Sequence, residues 1–146
     1  MAHKMQLNTK VRYGLRALLE IATRQGNGPV PLSAIAESQQ VSQKYLEHII
    51  GKLRKGGLVS SSRGLKGGYL LVNEPKDVTL LDVITALGDD CSMAECCINP
   101  TACARSDTCP TRPVWIMLGD RLREFWQGFT LEDLLSTPGY SEEHLQ

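Results

Sequence analysis

Apolar residues recur at helical spacing from about Thr9, at Val11, Leu15, Leu18, Leu19 and Ala22. The run predicts a first helix, capped by Thr9 and ended by Gly26-Asn27-Gly28-Pro29. Lys10, Arg12 and Arg16 fall in its first turns. They are either a solvated face or phosphate contacts near a helix start. Ser33 opens a short second helix that turns Ile35 and Ala36 inward, and Glu37 sits near its first turn. Gln39-Gln40-Val41-Ser42 is a turn ending in a good N-cap. The third helix carries Tyr45 at its start and Leu46, Ile49, Ile50 and Leu53 on its apolar face. Its other face keeps Gln43, Lys44, Glu47, His48 and Lys52. Two short helices joined by a tight turn, with a polar face left over on the second, form the helix-turn-helix pattern.

The periodicity changes after Gly56-Gly57, which close the third helix. Leu58-Val59-Ser60-Ser61 predicts a strand, and Tyr69-Leu70-Leu71-Val72 predicts its return. Between them Arg63-Gly64-Leu65-Lys66-Gly67-Gly68 makes a flexible basic turn. A basic hairpin directly after a helix-turn-helix is a wing, whose Arg63 and Lys66 enter a minor groove or touch phosphates. The glycine run lacks both the dinucleotide-binding spacing and the Lys-Ser/Thr ending of a P-loop, so nucleotide binding is rejected.

Pro75 breaks the chain, and Thr79-Leu80-Leu81-Asp82 is a capping box for a fourth helix bearing Leu80, Val83, Ile84 and Leu87. It stops at Gly88, and Asp89-Asp90 lead into a stretch from Cys91 to Arg112. That stretch holds all five cysteines, and three repeat as Cys97-x5-Cys103-x5-Cys109. Asn99, Pro100, Asp107 and Pro110 predict a loop rather than a regular element. After Pro113, the positions Val114, Leu118, Leu122, Phe125 and Phe129 mark a long amphipathic helix, to which Trp115 and Trp126 add apolar area. So much apolar surface on one helix either packs on its own domain or forms a subunit interface, and the interface is favoured, since helix-turn-helix proteins usually bind DNA as symmetric dimers. Thr130-Leu131-Glu132-Asp133 opens a last short helix from Leu131 to Leu135, which Pro138-Gly139 ends. Residues 140–146 read as a frayed end, and Met1 to Lys4 carry no pattern, with Met5 a possible natural start.

Charge sharpens this picture. The net charge is zero, but residues 1–76 hold 12 Lys or Arg against 4 Asp or Glu, and residues 77–146 hold 4 against 12. A half at +8 beside a half at −8 suggests a polyanionic partner for the first. A chain of 146 residues suffices for a domain with a real core. There is no apolar run of transmembrane length and no secretory pattern, so a membrane role is excluded and a cytoplasmic place expected. Five cysteines without an export signal point to a reducing compartment, where thiols bind metal or sense redox state.

From spacing alone the cysteine site stays open. Structural zinc usually takes Cys pairs two to four residues apart, and no Cys-x2-Cys pair is present. A thiol–disulfide switch has Cys91, Cys96 and Cys97 to draw on. An iron–sulfur cluster tolerates wider spacing. Catalysis has no support: His3, His48 and His144 are scattered, and none is near a cysteine in sequence. An electron carrier would need neither wing nor basic half.

Several stretches together resemble the IscR family of iron–sulfur cluster regulators, which includes nitric-oxide-sensing repressors. They are Arg12-Tyr13-Gly14, Pro29-Val30-Pro31-Leu32, Tyr45-Leu46-Glu47 and Leu53-Arg54-Lys55-Gly56-Gly57-Leu58-Val59. The wing from Arg63 to Tyr69 and the cysteine triplet complete the set, so the resemblance runs from Met5 to about Leu135. It implies a winged helix-turn-helix homodimer that holds a cluster on Cys97, Cys103 and Cys109 and regulates iron–sulfur assembly genes. One departure stands out. The IscR pattern places a histidine three residues after the third cysteine, and here that residue is Arg112, whose guanidinium stays protonated and cannot ligate. The nitric-oxide-sensing relatives use an acidic residue near the start of helix 1, and here that position is Arg12. Cys91, Cys96, a partner residue or water are the candidates for a fourth ligand. The IscR-like wing and helices favour [2Fe–2S] over [4Fe–4S].

The expected fold is thus mainly α with a small β-hairpin. Residues 1–76 form a winged helix-turn-helix domain, 77–112 a linker helix and cysteine-rich cluster loop, and 113–146 a dimerisation helix with a C-terminal helix. The residues expected to touch an operator duplex are Arg12, Ser42, Gln43, Lys44, Tyr45, Glu47, His48, Arg63 and Lys66, and the metal ligands are Cys97, Cys103 and Cys109. The function expected is a DNA-binding transcription regulator, a repressor type without enzymatic activity. A thiol-redox or nitric-oxide-sensing repressor of the same fold, or a zinc-binding regulator, is the alternative.

Overall fold

The computed structural model describes residues 7–137. The expectations for Met1 to Lys4, Met5, Pro138-Gly139 and residues 140–146 lie outside them. Helix α1 (Thr9–Arg24) is the central element, with Val11, Ala17, Leu18, Leu19 and Ile21 buried. Its N-cap is Asn8, not Thr9: Asn8 has extended backbone and its side chain accepts from the Lys10 N–H at 2.9 Å. Thr9 is already helical, so the cap falls one residue earlier than the apolar spacing indicates.

Against α1 pack α2 (Leu32–Gln39) and α3 (Gln43–Lys55). Pro31 precedes α2 with φ −64°, and the helix starts at Leu32, one residue before Ser33. Helix α2 ends with Gln40 in the left-handed region at φ 55°, and the Val41 N–H closes back on the Ala36 carbonyl at 3.1 Å. The same closure ends α3, where Gly57 has φ 77° and the Leu58 N–H bonds the Leu53 carbonyl at 3.0 Å. That bond ties Leu58 to the helix, so strand β1 begins one residue later, at Val59–Ser62. It pairs antiparallel with β2 (Gly68–Leu71) in the register Val59↔Leu71 to Ser62↔Gly68.

Helix α4 (Leu80–Ala86) carries the expected capping box: Thr79 and Asp82 bond reciprocally at 2.9 and 3.1 Å. The cysteine stretch is not wholly irregular. Glu95–Ile98 forms a one-turn helix, α5, and a 3-10 turn follows at Pro100–Ala102, with Asn99 Oδ1 accepting from the Thr101 N–H at 3.1 Å. Asn99 and Pro100 therefore start a turn here instead of breaking structure. Helix α6 (Arg112–Gln127) and helix α7 (Leu131–Leu135) complete the chain. The Leu80 and Leu131 N–H groups reach the Phe129 and Val78 carbonyls at 2.9 and 3.0 Å, and Leu131 is fully buried in the core that α1 organises.

The stripe predicted along α6 divides in two. Leu122 and Trp126 pack against the molecule's own core. Val114, Trp115, Met117, Phe125 and Phe129 stay exposed. Among the described residues no helix is long and apolar enough to cross a membrane.

Candidate nucleic-acid interface and cysteine site

The third helix is built as the periodicity predicts. Ser42 caps it, accepting from the Tyr45 N–H at 3.2 Å, and Leu46, Ile49, Ile50 and Leu53 are buried. Gln43, Lys44, Glu47 and His48 stand exposed on the opposite side. Tyr45 is half-buried, and its ring meets Tyr13 of α1 edge-on, with centroids 6.0 Å apart. The Arg16 guanidinium lies 5.5 Å over the Tyr13 ring. This stack fixes the seam between α1 and α3 and places a cation beside it. Two like charges, Lys10 and Lys52, also oppose each other across the seam. The Lys10 ammonium, aided by partial desolvation, holds the Lys52 amine below its ordinary pKa. Arg12 is exposed at the start of α1. Among the described residues Glu47 makes no ion pair with Lys44 or His48.

The wing carries Arg63 and Lys66 exposed at its tip, and its base is fixed on two sides. Tyr69 exchanges backbone hydrogen bonds with Val30 at 3.0 and 2.9 Å, and the Leu71 N–H donates to Gln25 Oε1 at 3.0 Å. A Cβ on Gly68 would fall 2.4 Å from the Val30 carbonyl, so only glycine permits this approach.

Between α1 and α2 lies a polar pair that apolar spacing does not reveal. Glu20 is fully buried; its Oε1 meets Arg24 Nη2 and its Oε2 accepts from Gln39 Nε2, both at 3.0 Å. Gln39 ends α2 immediately before the turn into α3. The pairing of two polar positions nineteen residues apart leaves no local signature in the sequence.

The cysteines do not form one set. Cys91 is buried, with φ 62°, and its N–H donates to Asp89 Oδ1 at 2.9 Å. Its carbonyl oxygen lies 3.0 Å from where a Cβ on Gly119 would stand, so α6 passes against the start of the loop. Burial, then the Asp89 carboxylate, pushes the Cys91 thiol up. Cys91 lines a cavity of about 340 Å³ with Leu7, Ile84, Met93, Leu122 and Trp126. Cys96 and Cys97 sit next to each other on α5. One helical turn places consecutive side chains only about 100° apart, so the two thiols share one side of α5. Burial and then Cys97 raise the Cys96 thiol. Cys103 is exposed. Cys109 Sγ is 3.2 Å from Thr111 Oγ1, and that hydroxyl, with the Thr111 and Arg112 N–H groups, lowers the Cys109 thiol.

Cys97, Cys103 and Cys109 offer three soft donors on one short segment, which fits an iron–sulfur cluster in chemical type. Among the described residues no three His, Cys, Asp or Glu side chains are gathered closely enough to hold a metal ion. Arg112 takes a different role from a ligand: its Nε donates to the Cys96 carbonyl at 3.1 Å and pins α5 to the start of α6.

A family model described as an iron-dependent transcriptional regulator, Rrf2, matches residues 7–137. The transcriptional regulator IscR of Photorhabdus laumondii is 40% identical over 132 residues, covering 90% of this chain and 80% of that one. CymR of Bacillus subtilis is 38% identical over 97% of this chain and 98% of its own. Its solved structure covers 91% of this chain and 98% of its own with a TM-score of 0.75. The structure of T. potens IscR, 37% identical, covers 90% of this chain and 86% of its own at 0.73.

Proposed function

The chain belongs to the Rrf2 family of transcriptional regulators, and from that premise we propose that it reads its operator as a homodimer and reports iron–sulfur status through its cysteine segment. As a member it is a DNA-binding regulator and not an enzyme. Residues 1–76 are the reader, with Ser42, Gln43, Lys44, Tyr45, Glu47 and His48 facing the major groove. Arg12, Arg63 and Lys66 meet phosphates or the minor groove. Residues 77–112 are the sensor segment, and residues 113–146 carry the dimer contact through Val114, Trp115, Met117, Phe125 and Phe129. The expected setting is the cytoplasm.

Cys97, Cys103 and Cys109 would hold a cluster, with [2Fe–2S] favoured. When bound, such a group supplies one-electron chemistry and lability to oxidants. The residues of the chain do the rest. Arg112 fixes the Cys96 carbonyl to α6, and Thr111 favours the thiolate of Cys109, the form that ligates a metal. The observation that carries the reading is three spaced thiols on a segment joined to the helix proposed as the dimer contact. Its targets would be iron–sulfur assembly genes.

Anaerobic reconstitution followed by visible absorption and by iron and acid-labile sulfide assays tests it. Wild type should hold both elements, and Cys97→Ala, Cys103→Ala and Cys109→Ala should each lose them. A protein that holds zinc and no sulfide would overturn the reading. A second reading, a thiol switch, is favoured by one observation: CymR of Bacillus subtilis, a global cysteine regulator, matches at nearly the same identity over more of the chain. Operator binding that responds to thiol oxidation in iron-free protein would select it.

A further inference from the structure

Leu65 has 109% of its reference surface exposed, the highest value among the exposed large apolar residues. A single exposed leucine is ordinary on a protein surface. The position of this one is not. It stands at the wing tip between Arg63 and Lys66, both exposed, and the adjoining strand β1 exposes only Ser60, Ser61 and Ser62. The turn is tightly closed: the Gly67 N–H bonds the Gly64 carbonyl at 3.0 Å, and Gly64 has φ 106°. The wing base is held by β1, by Val30 and by Gln25. A fixed base and a closed tip present an apolar side chain at little cost in ordering. The cations on either side suit a groove walled by phosphates. Apolar wedges of this size enter minor grooves and partly unstack one base step.

We propose that Leu65 is such a wedge, and that it sets sequence preference where the wing lands. The proposal rests on the DNA-binding reading and adds a base-step contact to it. Unstacking costs least at pyrimidine–purine steps, so the wing should favour a TA or CA/TG step beneath Leu65. Arg63 and Lys66 draw the tip in without discriminating among sequences.

The test uses the full chain and duplexes selected from a random library by the wild-type protein. 2-Aminopurine replaces each adenine in turn outside the two major-groove half-sites. Wild type should raise fluorescence at one step under each wing. Leu65→Ala should bind about tenfold more weakly, show no rise at saturation, and select no pyrimidine–purine step at that place. Leu65→Met should keep both the rise and the affinity. An unchanged melting temperature for both variants would show that the fold is intact. Leu65→Ala with undiminished fluorescence and affinity overturns the proposal. So does weaker binding by this variant when wild type itself produces no rise, since that describes contact without unstacking. If wild type enriches no sequence and shows no salt-dependent binding, the DNA-binding reading falls, and the wedge with it.

Discussion

Removing the buried carboxylate of Glu20 should destabilise the fold, chiefly through the buried Gln39 amide that it leaves without its acceptor. Glu20 is fully buried between Arg24 and Gln39, and each contact measures 3.0 Å. Breaking a buried ion pair by deleting one partner costs about 3–5 kcal/mol. Here the Arg24 side chain is 34% exposed and can rehydrate, which places Glu20→Ala near the lower limit, about 3 kcal/mol. Most of that cost falls on Gln39, whose buried amide N–H is left unpaired. For a chain of this size, 3 kcal/mol lowers the melting temperature by about 6–12 °C. Glu20→Gln keeps an acceptor for Gln39 and gives up only the charge toward Arg24, so about 1 kcal/mol is expected. The double variant Glu20→Met/Gln39→Met removes both buried polar groups and should recover most of the loss. Thermal unfolding followed by circular dichroism at 222 nm measures all three. A Glu20→Ala midpoint within about 2 °C of wild type would refute the reasoning, as would a double variant less stable than Glu20→Ala.

Three further outcomes are expected. Operator affinity should fall steeply with salt, and Arg63→Ala should weaken binding and reduce the slope of log K against log salt by about one; identical salt series for the two proteins would remove Arg63 from the interface. Met117→Asp or Phe125→Asp should yield a monomer in sedimentation at micromolar concentration without loss of fold. Leu122→Asp should instead lower the melting temperature, because Leu122 packs inward. Glu47→Ala should relax base preference in a random-duplex selection, since a carboxylate accepts only from the amino groups of cytosine and adenine; an unchanged preference at every position would leave Glu47 as surface charge.

The helices and the hairpin were legible because their signals are local. Ser42 before the third helix, the spacing of Leu46 to Leu53, the Gly56-Gly57 stop and the Thr79/Asp82 box all lie within a turn or two of the structure they specify. Departures came where distant residues decide. Nothing in the Gln39-Gln40 pair marks Gln40 as left-handed. The Val41 closure and the Glu20 contact hold that turn from outside it. The α6 stripe reads as one face in the sequence, yet Cys91 and α4 claim one side of it and leave the other exposed. In the cysteine segment, spacing shows the repeat of Cys97, Cys103 and Cys109 but not how the five thiols are arranged. Cys91 belongs to the core beside Gly119, while Cys96 and Cys97 are set apart from it on α5.

That segment is moored to α6 at two points: Cys91 rests on Gly119 in the middle of the helix, and Arg112 at its first turn grips the Cys96 carbonyl. Both moorings hold the early part of this strap, Cys91 to Cys96, while Cys97, Cys103 and Cys109 follow in the stretch between Cys96 and the first turn of the rod, α6. Gly119 sets how near the strap can lie, because a Cβ there would stand 3.0 Å from the Cys91 carbonyl oxygen. A bulkier residue there would lift the strap and slacken it, whatever the strap then holds.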